Sequence, residues 1–185
     1  MSSPETLTQA VAAVHSGACA VRDLMEGCLE KIEAENPDLR AVIAVNPDWS
    51  DDRADTSTPL AGIPILVKDN IETADPMPTT AGSLALAENV TGRDATCIAR
   101  LREAGGTVLG KANLSEWANF RSPHSTSGWS AVGGQGRNPF DRERTPCGSS
   151  SGSAIAVATG MALAAIGTET SGSVICPASN NGLVG

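Results

Sequence analysis

The chain has few aromatic and few basic residues, and both scarcities restrict what it can bind. Of its 185 residues only 3% are aromatic, with two phenylalanines and no tyrosine. The stacking platforms that hold single-stranded nucleic acids are therefore missing. Thirteen Lys and Arg residues stand against 21 Asp and Glu residues, which gives a net charge of −8. Because such a surface repels phosphate backbones on average, we predict no nucleic-acid partner.

Residues that bind metals are also sparse. The five cysteines are scattered, with no Cys-x-x-Cys pair, and His15 and His124 are the only histidines. The ligand spacing that a structural zinc site needs is absent. We therefore predict no metal and no disulfide framework.

Long apolar stretches are absent as well. No apolar run approaches the roughly 18 residues that a membrane span needs. The first residues, Met1 to Glu5, lack the basic-then-apolar order of a signal peptide. We predict a cytoplasmic protein with no membrane contact.

Composition and length fit one globular domain over residues 1–185. Apolar residues make up 41% of the chain and, with the 19 glycines, reach about half, the usual globular share. Residues 1–40 predict two N-terminal helices. The first runs from Glu5 to Ser16, and the second begins at Val21 and stops at Asn36-Pro37, because proline ends a helix.

The rest of the chain alternates strands with helices. Ile63 to Val67 is a continuous apolar run that predicts a buried strand, and Thr107 to Leu109 predicts another. Further predicted elements are a short strand at 41–45, helices at 95–104, 113–120 and 154–165, and polar loops at 47–59 and 121–149. This order predicts an α/β layered fold.

The chain stops in an apolar segment, Asn181 to Gly185, with no capping or polar tail. We therefore expect an incomplete, truncated domain. Its unpaired sheet edge and apolar faces would favour self-association.

One Gly-rich segment comes near to a phosphate-binding loop. Gly105 to Lys111 has the spacing of a P-loop, but the Ser or Thr that should hold magnesium is replaced by Ala112. The segment also contains the strand predicted at Thr107 to Leu109. We interpret it as a strand in a packed sheet.

A second segment fits a serine hydrolase pattern. Gly148 to Gly152 reads Gly-x-Ser-x-Gly with Ser150 at its centre. A nucleophile elbow needs a strand before the serine, whereas Arg144 to Cys147 precedes it here. That fold also places its histidine after the serine, and His15 and His124 both precede it. A Ser-His-Asp hydrolase remains an alternative only if additional sequence supplies the histidine.

A third pattern combines one lysine with two Gly-rich serine turns. Lys68 directly follows the apolar strand, and Ser149 and Ser173 lie on the turns. Burial disfavours a charged lysine, and a neutral lysine is a base. One serine can then relay a proton while another attacks an acyl carbon. Taken singly, each segment also fits a structural role, as a strand-end lysine in solvent or a flexible Ser-rich loop.

Together these segments resemble the amidase signature family, which includes fatty-acid amide hydrolases, peptide amidases and the A-type subunits of tRNA-dependent amidotransferases. The resemblance begins near residue 6, is strongest in a signature core of residues 60–185, and is closest to the peptide-amidase-like branch. It rests, in chain order, on Gly62 to Pro64, Lys68 to Asn70, Thr80 to Ser83, Gly110 to Asn113 with Glu116, Asn138-Pro139 and both serine turns. It implies a mixed central sheet flanked by helices.

The resemblance also implies the catalytic residues. Carried over by position, Lys68 is the catalytic lysine, Ser149 is the relay serine and Ser173 is the nucleophile. The family places a cis peptide bond before the relay serine, here between Gly148 and Ser149. No cofactor and no metal is implied.

Supporting positions follow from the same resemblance. The N–H groups that bind the oxyanion and substrate are those around Thr170, Ser171, Gly172 and the nucleophile, and Ser150 would orient the relay serine. Many members carry glycine where Ser171 stands and arginine where Ile175 stands. Neither difference removes a catalytic atom.

The implied function is hydrolysis of a linear carboxamide, a class that includes peptide C-terminal amides, through a Ser-Ser-Lys acyl-enzyme mechanism. The expected partner is a small-molecule or peptide amide substrate. Two alternatives stand beside it. One is an amidotransferase A-type subunit that releases ammonia from glutamine, and the other is a non-catalytic, truncated scaffold or binding protein that retains the site.

Overall fold

The computed structural model describes residues 4–49 and 54–185. Its strands are β1 (Val42–Val45), β2 (Pro64–Lys68), β3 (Thr107–Ala112), β4 (Trp129–Ser130), β5 (Gly134–Gln135) and β6 (Ala165–Ile166). Its helices are α1 (Leu7–His15), α2 (Val21–Leu39), α3 (Thr96–Glu103), α4 (Ser151–Thr159) and α5 (Ile175–Asn180). Short 3-10 turns lie at Leu84–Leu86 and Glu116–Asn119. The predicted α/β class is confirmed.

A mixed four-stranded sheet with the order β1-β3-β2-β6 forms the centre of the fold. β1 runs antiparallel to β3, whereas β3, β2 and β6 are parallel to one another. The register pairs Val67 with Lys111 and Lys68 with Ala112. Lys68 therefore lies at the carboxyl end of a central strand, the edge at which ligands bind in open α/β sheets.

Helices cover both faces of this sheet, which explains the unbroken apolar run in β2. Leu66 packs in one core cluster with residues of α2 and α4. Val67 belongs to a separate cluster with Val108 and with Ile98 of α3. Every residue of β2 is buried. A strand covered on both sides has no polar face, so its sequence does not alternate.

Helix α4 approaches the sheet at a glycine. A Cβ atom added to Gly152 would lie 2.2 Å from the carbonyl oxygen of Ala41 and 2.5 Å from backbone atoms of Asn113. The absence of a side chain allows the first turn of α4 to contact the end of β3 directly. The N–H of Gly152 also donates to the carbonyl of Asn113 at 2.9 Å. The two segments are thereby fixed together.

Several boundaries differ from the prediction. Helix α2 continues through Pro37 to Leu39 and ends at Arg40, which adopts a left-handed conformation at φ 53°. Proline is tolerated there because the last turn loses only one hydrogen bond. Helix α4 begins at Ser151 and ends at Gly160, before the predicted end at 165, because Gly160 takes the left-handed C-cap conformation at φ 75°.

Two predicted segments have a different structure. The helix predicted over 113–120 is instead a short turn in which Trp117 and Ala118 have left-handed backbones, with φ of 50° and 54°. The loop predicted over 121–149 contains the antiparallel pair β4 and β5. Within the loop predicted over 47–59, residues 50–53 lie outside the described residues. In the described ranges no helix is long and apolar enough to cross a membrane.

Candidate active site

Lys68 is the buried centre of the candidate site. Its side chain is 0% exposed at the carboxyl end of β2. Its Nζ lies 2.7 Å from the Oγ of Ser149. It also donates to the Oγ1 and the carbonyl oxygen of Thr168, at 2.8 and 3.1 Å. All three acceptor atoms are neutral, so within residues 4–49 and 54–185 the amine of Lys68 has hydrogen bonds but no ion pair.

This environment favours the neutral amine. Burial lowers the pKa of Lys68 to about 8, and the opposing attraction of the Glu169 carboxylate only partly offsets it. A buried ammonium loses hydration that hydrogen bonds to neutral groups do not fully replace. With this pKa about one lysine in ten is neutral at pH 7, far more than for an exposed lysine, and the neutral amine is the form that a general base requires.

Ser149 is held between β3 and α4. The peptide bond between Gly148 and Ser149 is cis, as the resemblance implied. Ser149 is 1% exposed, and its carbonyl accepts the N–H of Ser115 at 3.0 Å. A Cβ on Gly148 would come within 2.2 Å of the Ser115 hydroxyl oxygen. The glycine thus makes room for the segment that places Ser149 against Lys68.

Ser150 contacts the site through Thr168. Its hydroxyl donates to the Thr168 carbonyl at 3.2 Å and accepts the Thr168 N–H at 3.3 Å. Its own N–H donates to the carbonyl of Ser173 at 3.0 Å. The hydroxyl of Ser150 thus supports the residue that binds Lys68, whereas the resemblance implied that it orients Ser149.

Thr168 was not predicted as a residue of the site. Besides its contacts with Lys68, its Oγ1 accepts the side-chain amide of Asn70 at 3.0 Å. It therefore links the end of β2 to the segment after β6. A threonine within a Gly-rich segment has no distinguishing pattern of its own, and only the pairing of β2 with β6 brings it to the lysine.

Ser173 lies on a partly exposed turn between β6 and α5. Its carbonyl is anchored by the Ser150 N–H. Within the described residues its hydroxyl has no hydrogen-bond partner, so it is accessible to a substrate. The fold thus brings Lys68, Ser149 and the Ser173 turn to one edge of the sheet.

The predicted oxyanion donors divide into two groups. The N–H of Gly172 donates to the Glu169 carboxylate at 3.0 Å. In the described part of the chain, the N–H groups of Thr170, Ser171 and Ser173 have no partner. These three N–H groups can donate hydrogen bonds to a developing negative charge, whereas the N–H of Gly172 is already bound to Glu169.

A buried ion pair lies beside the turn after Lys68. The Nζ of Lys111 lies 3.7 Å from the Asp69 carboxylate, and both side chains are at most 1% exposed. Lys111 also donates to the carbonyl of Ile71 at 2.6 Å and to the hydroxyl of Thr79 at 2.9 Å. Asp69 accepts the N–H and hydroxyl of Thr80. Burial lowers the pKa of Lys111 and raises that of Asp69.

Neither rival sequence pattern forms a site within the described residues. Lys111 is buried on strand β3, so the P-loop-like segment is part of the sheet, as predicted. The residues directly before Ser150 are irregular and do not form a strand. His15 contacts the carbonyl of Thr58 at 3.0 Å, and His124 is exposed. Neither histidine contacts Ser150. No group of three metal-binding side chains occurs in residues 4–49 and 54–185.

A disulfide bond joins the two serine segments, although the scattered cysteines predicted no disulfide framework. Cys147 and Cys176 are 29 positions apart in sequence, with Cα atoms 6.0 Å apart. Cys147 precedes the Gly148–Ser149 bond, and Cys176 lies three residues after Ser173. Spacing could not reveal the pair, because only the packing of α5 beside α4 brings the cysteines together.

We expect loss of this disulfide to destabilise the protein. Closing a loop of this length lowers the conformational entropy of the unfolded chain, which stabilises the folded state by about 3–4 kcal/mol. The double variant C147S/C176S should therefore lower the melting temperature by roughly 10 °C, measured by thermal unfolding. The matched control C97S removes an exposed free thiol and should change it little. A double variant that melts with the wild type would contradict a stabilising role.

Comparison with known proteins identifies relatives over most of the chain. A family model described as Amidase matches residues 23–185. A probable amidase from Arabidopsis thaliana is 49% identical over 175 residues, which cover 89% of this chain and 34% of that protein. The A-type subunit of the glutamyl-tRNA(Gln) amidotransferase from Symbiobacterium thermophilum is 44% identical, over 92% of this chain and 36% of its own length.

Solved structures give the same result. The native peptide amidase from Stenotrophomonas maltophilia superimposes with a TM-score of 0.88 and 49% identity, over 95% of this chain and 38% of that one. An amidase family protein from Bacillus anthracis superimposes with a TM-score of 0.86 and 36% identity, over 93% of this chain and 36% of that one. The chain thus spans little more than a third of the length of these proteins. The family match and the superpositions agree with the resemblance of the motifs, and the chain belongs to the amidase signature family.

Proposed function

We propose that this chain forms the catalytic part of a hydrolase that cleaves linear carboxamides, with Ser173 as the nucleophile. The observation that carries the proposal is the 2.7 Å hydrogen bond between the Nζ of Lys68 and the Oγ of Ser149 in a buried site. A lysine of lowered pKa beside a serine is a general base already in contact with the group that it deprotonates.

The proposed first step is a proton relay. Neutral Lys68 takes the hydroxyl proton of Ser149 as Ser149 takes that of Ser173. The oxygen of Ser173 then attacks the amide carbon, forming a C–O bond. The hydroxyls of the two serines have to approach each other for this transfer, and such contacts commonly tighten only when substrate binds.

The carbonyl oxygen of the substrate gains negative charge during attack. The free N–H groups of Thr170, Ser171 and Ser173 support an oxyanion site at this turn, because backbone donors held in place stabilise charge as it develops. The C–N bond then breaks, and the relay returns a proton to the departing ammonia or amine. Water releases the carboxylic acid from the acyl-enzyme and regenerates the hydroxyl of Ser173.

A peptide C-terminal amide is the proposed substrate, supported by the 49% identity to a peptide amidase. The second candidate is an amidotransferase A-type subunit that releases ammonia from glutamine for a partner protein. The 44% identity to the A-type subunit of a glutamyl-tRNA(Gln) amidotransferase supports this alternative. Glutaminase activity that increases when the other amidotransferase subunits are added would favour it over the peptide amidase.

Labelling with a fluorophosphonate tests the function without knowledge of the substrate. The probe reacts with activated serines, and we expect one adduct per chain by intact-mass analysis, mapped to Ser173 by peptide sequencing. Hydrolysis of peptide amides and of glutamine, followed by ammonia release, then separates the two candidates. An adduct on Ser150 would instead support the serine-elbow alternative. A folded protein that takes no adduct would support a non-catalytic scaffold.

Location and self-association remain predictions. The Cys147–Cys176 bond argues against the predicted cytoplasmic location, because disulfides are rare in that reducing compartment. Strand β6 pairs with β2 alone among the described strands. Its outer edge could pair with another strand, and self-association there remains a proposal.

A further inference from the structure

The Glu169 carboxylate accepts hydrogen bonds from backbone N–H groups of the turn that carries Ser173. Its Oε1 accepts the N–H of Gly172 at 3.0 Å. Its Oε2 accepts the N–H of Val174 at 2.7 Å and that of Ile175 at 3.0 Å. One carboxylate thus binds backbone groups on both sides of the serine. Hydrogen bonds to an ionised acceptor are stronger than those between neutral groups.

The N–H groups of the turn therefore fall into two sets, those bound by Glu169 and those without a partner in the part of the chain that the structure describes. Three of them point to Glu169, while those of Thr170, Ser171 and Ser173 have no partner in the described ranges. The turn is also restrained by the bond from the Ser150 N–H to the Ser173 carbonyl and by the Cys147–Cys176 disulfide, but neither of these binds an N–H of the turn. Without Glu169 the six residues of the turn would have several alternative conformations. A single carboxylate that binds the N–H groups of Gly172, Val174 and Ile175 selects one of these conformations, and it leaves the remaining N–H groups without a partner among the described residues.

We propose that Glu169 is a positioning residue for the reaction, which shapes the turn so that the Ser173 hydroxyl faces the acyl carbon while the free N–H groups face the carbonyl oxygen of the same acyl group. This inference rests on the proposed function and adds a residue to which no catalytic role was assigned from the sequence. Glu169 does not touch the reacting atoms; it acts through the backbone on either side of the nucleophile.

Glu169 is also the charge that acts on Lys68. Glu169 itself is exposed. The buried charges near the end of β2, Asp69 and Lys111, pair with each other, and the direct partners of Lys68 are the neutral Ser149 and Thr168. The attraction of the Glu169 carboxylate raises the pKa of Lys68 against the effect of burial. Removing this charge should therefore make the lysine easier to deprotonate.

The substitution Glu169→Gln separates the proposed role from simple stabilisation. Glutamine keeps the size of the side chain and one acceptor oxygen, but its amide nitrogen cannot accept an N–H. We measure the rate of fluorophosphonate labelling of Ser173 across pH 6–10, with thermal unfolding in parallel. Glu169→Asp, which retains the charge, is the conservative variant. Glu88→Gln, which changes an exposed carboxylate elsewhere, is the matched control.

The expected result has two parts. Glu169→Gln should lower the maximal labelling rate by about 10-fold or more, the effect of losing charged hydrogen bonds. It should also shift the midpoint of the pH profile below that of the wild type, because Lys68 loses its attracting charge. Glu169→Asp should keep the wild-type midpoint, and Glu88→Gln should change neither quantity.

Other results would overturn the inference. Wild-type rate and midpoint in Glu169→Gln would show that the turn does not depend on the carboxylate. A lower melting temperature with unchanged rate and midpoint would assign Glu169 a stabilising role only. A wild-type protein that takes no adduct on Ser173 would overturn the proposed function and this inference with it, so the two failures are distinguishable.

Discussion

Replacing Ser173 by alanine is expected to lower amide hydrolysis by roughly 10⁴-fold or more and to abolish the fluorophosphonate adduct. Alanine removes the only oxygen that can form the proposed acyl-enzyme, and removal of a nucleophilic serine elsewhere has effects of this size. Ser173 is partly exposed and its hydroxyl has no partner in the described residues, so the substitution should leave the fold intact. Ammonia release and intact mass are the measurements.

Two further serine variants make this result specific. Ser179→Ala changes an exposed serine of α5 and should retain full activity. Ser150→Ala tests the serine-elbow alternative, which predicts that Ser150→Ala abolishes activity while Ser173→Ala spares it. That pattern would refute the assignment of Ser173.

Replacing Lys68 by methionine should have the second largest effect. The variant loses the one base that contacts Ser149 among the described residues, so we expect kcat/KM to fall by about 10²–10⁴-fold, the usual contribution of general-base catalysis. The substitution removes a buried amine and replaces it with an apolar side chain of similar length. Because burial already disfavours the charge, the melting temperature should not fall greatly.

The pH dependence of the wild type provides an independent test of the same lysine. Only the neutral amine can accept the proton of Ser149, and the pKa of Lys68 is lowered to about 8 by burial. Activity should therefore rise with pH through a midpoint near 8 and level off above it. A rate that is constant from pH 6 to pH 10 would contradict Lys68 as the base.

Lys31→Met is the matched control for Lys68→Met. Lys31 is exposed on α2, where it lies 3.5 Å from Glu35, and a surface pair of this kind contributes little to stability. Its replacement should alter neither kcat/KM nor the midpoint near pH 8. If Lys31→Met and Lys68→Met behaved alike, the effect could not be assigned to the buried amine.

The α/β class and the position of the lysine could be predicted from the sequence because they depend on local patterns. The run Ile63 to Val67 is apolar at every position, which indicates a strand covered on both faces, and the structure confirms it as β2. A polar residue directly after such a strand has to lie at the sheet edge. Lys68 was therefore found without knowledge of its partners.

The serine turns were found in a different way. Their Gly-rich composition indicated loops with a function, but the roles of Ser149 and Ser173 came from the family resemblance. Short elements within these polar segments, such as α5 and the β4–β5 pair, were not predicted. Their residues have weak intrinsic preferences, and contacts with distant segments decide their conformation.

The sequence by itself therefore determined the alternation of strands and helices, the burial of β2 and the edge at which Lys68 lies. Only the tertiary structure decided which groups meet there: the bond between Cys147 and Cys176, and the contact of Thr168 with Lys68. The physical reason is distance along the chain. Hydrophobic periodicity reports the burial of each segment, whereas these contacts depend on the packing of whole elements against each other.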